Sequence, residues 1–158
     1  MKMVKIVNKI TIENKTKHQI PFENEMHKIL NNFAKFFKIK KTILLDIKIV
    51  SKKKIRQLNS IYRGKDYVTD ILSFGLNDQA LYKQMPFLLI GELVICYEKM
   101  IEQAKEFNHS IKREFCYLFA HGLVHLYGYN HEKEDERIEM NAIVDAIFKP
   151  LKITRLEK

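Results

Sequence analysis

Three histidines stand within eleven residues near the C-terminal end of the chain, in the run His121-Gly122-Leu123-Val124-His125-Leu126-Tyr127-Gly128-Tyr129-Asn130-His131. Positions four apart share one face of an α-helix, so His121 and His125 can aim their rings at one point. A helix cannot itself deliver His131 to that point. Gly128 ends the helix and lets the chain turn back. Three imidazoles suit Zn²⁺, with Ni²⁺ or Cu²⁺ acceptable in vitro. Three protein ligands leave a fourth position for water, the pattern of a catalytic zinc ion. The rival reading is a core helix that happens to carry histidines, against which the spacing and the turn glycine both argue. Cys116, five residues before His121, lies off their face.

The spacing HxxxHxxGxxH equals that of the metzincin proteases, which carry a glutamate directly after the first histidine as general base. This chain has Gly122 there. The site is therefore expected to hold and acidify a water without the usual machinery of peptide hydrolysis. Glu132, Glu134 and Asp135 read as acidic residues at the start of the next helix, where the dipole favours them. Arg63 offers a permanently charged fork that matches phosphate oxygens. An arginine beside a zinc-activated water is coherent phosphodiester chemistry. Taken alone, an Arg before Gly64 at a helix end is more often a surface cap, and Asp70 and Ser73 could simply satisfy turn amides.

Charge narrows the partner. The chain carries a net +9, and residues 1–65 hold 17 Lys/Arg against 4 Asp/Glu, while residues 66–158 hold 11 against 15. A basic half suggests a polyanion, nucleic acid first. An AT-rich genome, with its lysine, isoleucine and asparagine bias, produces the same composition with no partner. The 158 residues suffice for one domain with a hydrophobic core. No apolar run is long enough to cross a bilayer, and no signal-peptide pattern opens the chain. Two cysteines outside any CxxC pair fit a reducing, cytoplasmic setting.

The elements that must position these residues alternate between the two periods. Val4–Val7 and Ile10–Ile12 read as an N-terminal strand region. Pro21 is expected in the first turn of a helix whose stripe is Phe22, Met26, Ile29, Leu30, Phe33, Phe36 and Phe37. Residues 43–50 read as a strand, and Ser51 as the N-cap of a helix carrying Ile55, Leu58, Ile61 and Tyr62. Thr69–Phe74 is a short strand followed by a loop to Pro86. Phe87–Ile95 is a strand interrupted by Gly91-Glu92. Helices follow around Met100–Phe107, from Ser110 into the histidines, and over about Asp135–Phe148, the last ended by Pro150. The expected fold is one α+β domain, 1–158, with a small, mainly parallel mixed sheet of about four strands and five to six helices. The metal site would lie at a helix C-terminal end and the turn after it.

Three blocks, Arg63-Gly64-Lys65-Asp66 with Thr69-Asp70-Ile71-Leu72-Ser73-Phe74, Gly91-Glu92-Leu93-Val94-Ile95, and His121 to His131, occur in an order that resembles the YbeY family. These are bacterial zinc endoribonucleases and ribosomal RNA maturation factors. The resemblance covers about residues 55–145. It implies one zinc ion held by His121, His125 and His131, an arginine at Arg63 important for activity, and work on the 3′ end of small-subunit ribosomal RNA and in ribosome quality control. Single-stranded or ribosomal RNA would be the substrate and ribosomal subunits or proteins the partners; the sequence leaves the oligomeric state open, with a monomer favoured. Lys52, Lys53, Lys54, Arg56 and Lys65 would then track the RNA backbone. Four positions depart from the family pattern. Asn130 stands for Asp, which predicts weaker metal binding if that position supports a ligand. Val68 and Gly75 stand where proline is usual, which predicts a less rigid loop around Arg63. Glu92 stands for Asp. The rival functions are a ribosome-assembly protein merely braced by zinc, and a zinc peptidase using Glu92 as base.

Overall fold

The β-branched stretches pair into one sheet that sets the frame for everything else. In the computed structural model, which describes residues 6–75 and 83–155, the strands are β1 (Lys9–Asn14), β2 (Thr42–Ile49), β3 (Ile71–Gly75) and β4 (Phe87–Ile95), in the order β1-β2-β4-β3. The first, second and fourth run parallel, and β3 joins the edge antiparallel to β4. The helices are α1 (Glu23–Phe36), α2 (Lys52–Arg63), α3 (Tyr97–Glu106), α4 (Ile111–Leu126) and α5 (Glu134–Phe148), with a 3₁₀ turn at Lys149–Leu151. The α+β class with a mainly parallel four-stranded sheet is the one expected.

Strand alternation sorts the core. Ile43, Leu45, Ile47 and Ile49 of β2 are buried and pack with Phe33 of α1, Met100 of α3, Phe115, Phe119 and Leu123 of α4, and Val144 of α5. A smaller cluster joins Ile55 of α2 to Leu72, Val94 and Cys96. Each such side chain stabilises the fold by roughly 1.5–3 kcal/mol relative to exposure. Two serines start the helices that matter most. Ser51 Oγ accepts from Lys54 N at 3.2 Å and Ser110 Oγ from Arg113 N at 3.1 Å.

Several boundaries move. The N-terminal strand starts at Lys9, and Ile6 and Val7 lie outside it, exposed. Asn8 is the reason, because its buried Oδ1 accepts from Ile43 N at 2.8 Å and so takes a donor that a strand carbonyl would have met. Val4 and Lys5 lie outside the described residues, as does most of the loop before Pro86. Pro21 precedes α1, whose N-cap is Phe22. Thr69 and Asp70 belong to the loop before β3, where Asp70 O accepts from Cys96 N at 2.8 Å. Pro150 sits in the 3₁₀ turn that follows α5.

One glycine lets β3 pair at all. Leu44 faces Leu89 and Leu45 faces Gly91, so Ile90 is an extra residue in β4, a bulge. Gly91 has φ of +136°, and a Cβ there would lie 2.4 Å from the Phe74 carbonyl oxygen. No other residue fits.

Candidate metal centre and its cavity

Helix α4 brings His121 and His125 to its last turns, and the chain reverses immediately after. Tyr127 caps the helix. Gly128 adopts φ of +103°, with its N–H donating to His125 O at 3.0 Å, and Tyr129 N donates to Val124 O at 3.3 Å. A Cβ on Gly128 would meet nothing within 4 Å, so glycine is needed there for its backbone angle and not for space. The reversal carries His131 back to the other two rings.

The three ligand nitrogens lie within 4.8 Å of one another, and His125 Nε2 and His131 Nδ1 are 2.9 Å apart. Two nitrogens bound tetrahedrally to one zinc ion at 2.0–2.1 Å would lie about 3.3 Å apart. The observed spacing brackets that value, so the donor set fits a single ion with small side-chain adjustment. Burial, reinforced by the neighbouring His125 and His131, depresses the His121 pKa to about 4. Burial first, then His131 and Arg63, also lower that of His125, against an opposing backbone hydrogen bond with Tyr129. Both rings are thus held in the neutral form that binds metal.

The sheet brings the second block to the same place. A cavity of about 360 Å³ is lined by His121, His125, His131, Arg63, Thr69, Asp70, Ile71, Ser73 and Leu118. Arg63 ends α2, and Gly64 closes that helix in the left-handed region at φ of +67°. Fully buried Asn59 pins the following loop, its Nδ2 donating to Tyr67 O at 3.0 Å and its backbone carbonyl accepting from Lys65 N at 3.2 Å. Val68 packs against the cluster of Ile55 and Leu72. These contacts anchor the loop that follows Arg63. Ile71 and Ser73 of β3 reach the cavity because they share the sheet face that meets α4, while Leu72 turns to the α2 side. Asp70 does satisfy a turn amide, Ile71 N at 2.7 Å, and it lines the cavity as well.

Other expected residues fall outside the cavity. Gly122 is buried against the sheet, where a Cβ would lie 3.0 Å from both Ile71 Cδ1 and Leu93 Cδ2. The position after the first histidine therefore has neither a base nor room for one. Glu92 alternates with Leu93 and pairs across the strands with Phe74, away from α4. Cys116 is fully buried in the core. Asn130 is exposed in the turn, and among the described residues no hydrogen bond ties it to a histidine. Of the basic residues, Lys52 is paired with Glu102, and Arg56 holds Asp66 through both oxygens at 2.9 and 3.3 Å. Lys53, Lys54 and Lys65 are exposed.

Sequence reasoning missed two groups. Tyr62 and Tyr67 flank Arg63 and are 64% and 52% exposed, which makes them available to stack on bases. Gln103 and buried Glu114 form a polar network with Asp70 behind the cavity. A tyrosine directly before Arg63 was a signal that sequence offered; Gln103 offered none.

Known proteins resemble this chain in sequence and in fold. The family model described as Endoribonuclease YbeY matches residues 9–152. The chain is 63% identical over 153 residues to a protein named Endoribonuclease YbeY from Mycoplasmopsis synoviae, covering 97% of this chain and 99% of the relative. It is 45% identical over 148 residues to one of the same name from Mycoplasma mobile, covering 94% and 97%. Its fold resembles a solution structure of a Thermotoga maritima protein, with a TM-score of 0.60 and 27% identity over 91% of this chain and 92% of that one.

Proposed function

The chain belongs to the YbeY family, and from that premise we propose that residues 1–158 act as one metal-dependent endoribonuclease domain that cleaves single-stranded RNA during ribosomal RNA maturation. The observation that carries this reading is that Arg63 and the three histidines line one cavity. His121, His125 and His131 would hold a single zinc ion. Such an ion leaves a coordination position open and lowers the pKa of a water there to about 7. Arg63 binds the scissile phosphate and offsets charge that builds on its oxygens. Lys53, Lys54 and Lys65 guide the RNA backbone, and Tyr62 offers an exposed ring to an unpaired base.

The substrate proposed is the unprocessed 3′ end of small-subunit ribosomal RNA, with ribosomal subunits or proteins presenting it, in the cytoplasm and in ribosome quality control. No helix among the described residues is long and apolar enough to cross a membrane. The peptidase alternative loses its support, since Glu92 is outside the cavity and Gly122 is packed on the sheet. The test is to measure zinc in the purified protein and to assay precursor RNA with the wild type and His121→Ala. The wild type should bind one zinc ion per chain and cleave, and His121→Ala should do neither. Equal cleavage by both would overturn the reading. Zinc-dependent RNA binding without any cleavage would favour a zinc-braced assembly protein.

A further inference from the structure

The geometry points to Asp70 as the proton acceptor of the cleavage reaction, with Gln103 of α3 and Glu114 of α4 as the residues that position it. This inference rests on the nuclease reading above. It names the general base that Gly122 and Glu92 do not supply.

Asp70 is the one carboxylate among the described residues that line the cavity. Its two oxygens are held by neutral donors. Oδ1 accepts from Ile71 N at 2.7 Å and from Thr69 Oγ1 at 3.4 Å, and Oδ2 accepts from Gln103 Nε2 at 3.0 Å. Such donors fix the carboxylate without cancelling its charge. Asp66, four residues earlier, shows the contrast, because Arg56 grips both of its oxygens. A carboxylate fixed but not ion-paired keeps lone pairs free for a proton.

Gln103 is fixed in turn. Its amide nitrogen also faces Glu114 Oε2 at 3.4 Å, and Glu114 is only 5% exposed. An ionised carboxylate only accepts hydrogen bonds. Two of them around one amide force the NH₂ end, never the oxygen, toward Asp70. This gives a partner to one oxygen of a glutamate buried in α4, whose other oxygen, Oε1, lies 3.4 Å from His109 Nε2. Burial also pushes the Asp70 and Glu114 carboxyls up from their ordinary range, the direction that strengthens a carboxylate as a proton acceptor.

In the step proposed, the attacking oxygen, from water or from the neighbouring 2′-hydroxyl, forms its bond to phosphorus as its proton passes to an Asp70 oxygen. The bond from phosphorus to the leaving oxygen breaks, and the proton returns to that oxygen. No net proton, electron or co-reactant is required. A cyclic phosphate at the product end identifies the 2′-hydroxyl, a linear one water.

The experiment compares wild type, Asp70→Asn, Asp70→Glu, Gln103→Leu and His121→Ala for zinc content, RNA affinity, and cleavage under both single-turnover and steady-state conditions. Asp70→Asn should keep zinc and RNA affinity within about twofold and lose cleavage by about 100-fold or more, with Asp70→Glu recovering part of the rate. Gln103→Leu should lower kcat by about tenfold and leave KM unchanged, the mark of an effect confined to the transition state. Cleavage by Asp70→Asn at nearly the wild-type rate, with His121→Ala inactive, overturns the assignment and leaves the nuclease reading standing. So does loss of zinc or RNA binding in step with the rate. If Asp70→Asn does not fold, Gln103→Leu carries the test, and an unchanged kcat refutes the positioning network. Full activity of His121→Ala would refute the nuclease reading itself.

Discussion

Gly122 on α4 and Leu93 on β4 meet so closely that a Cβ on the glycine would sit 3.0 Å from Leu93 Cδ2. The helix that carries His121 and His125, two of the candidate metal ligands, is thus seated directly on the strand beside β3, which lines the cavity. Gly122→Glu, the substitution that restores the protease motif letter for letter, should lower stability by on the order of 4 kcal/mol, from overpacking plus a buried carboxylate. It should produce no peptidase activity. Urea denaturation and a peptide-hydrolysis screen check this; a stable variant that cleaves peptides would show that the close approach does not constrain the site.

Metal-free protein should weaken in acid. The His121 pKa falls from 6.5 to about 4 on folding. Between these values the unfolded chain binds the proton and the folded one does not, so stability is lost as pH falls from 6.5 toward 4. The loss from this residue is about 3 kcal/mol at most. Denaturation in chelator at about pH 7, 5.5 and 4 spans that window, and His121→Gln should show a shallower decline. Identical declines would mean that the ring is not held neutral.

Arg63→Ala should leave zinc content unchanged and reduce cleavage by about 100- to 1,000-fold, as when other transition-state donors are removed. Arg63→Lys should recover little, because an ammonium cannot reproduce the two-pronged contact with phosphate. A fully active Arg63→Lys would reduce the role to a point charge.

The ion pairs rank the basic residues. Lys52 and Arg56 are already engaged by Glu102 and Asp66. Lys53→Ala, Lys54→Ala and Lys65→Ala should each weaken RNA binding and reduce the salt slope by about 0.7–1 for every phosphate no longer neutralised. Lys52→Ala should do so least. Tyr62→Ala should cost about 1–3 kcal/mol of RNA affinity with little change in that slope, as expected for stacking. Binding isotherms at several salt concentrations separate the two effects.

What could be read from the sequence was local. The helical spacing of His121 and His125, the stop at Gly128 and the caps at Ser51 and Ser110 each depend on residues a few positions apart, and each is found in place. The sheet class followed from alternation and element order. The pairing of Lys52 with Glu102, the amide of Gln103 against Asp70 and the contact of Gly122 with Leu93 join residues far apart in the chain. No periodicity encodes them. The direction of β3 was equally hidden, since a five-residue strand pairs either way until the bulge at Ile90 and the angle at Gly91 admit it. The strand expected at Val4–Val7 failed over Ile6 and Val7 for a similar reason, because Asn8 reaches across to β2 with its side chain.

The histidines all come from one short reach of chain, whereas Arg63 and Asp70 arrive from across the sheet. Closing a loop of so few residues around an ion carries little entropic cost. The candidate metal ligands therefore need no long loop closed around an ion, whereas Arg63 and Asp70 must be delivered by the sheet. On the function proposed above, zinc stoichiometry and enzymatic competence are separable quantities. A preparation can be fully loaded and wholly inert, and only a readout that senses Arg63 or Asp70 reports that the two halves of the cavity have met.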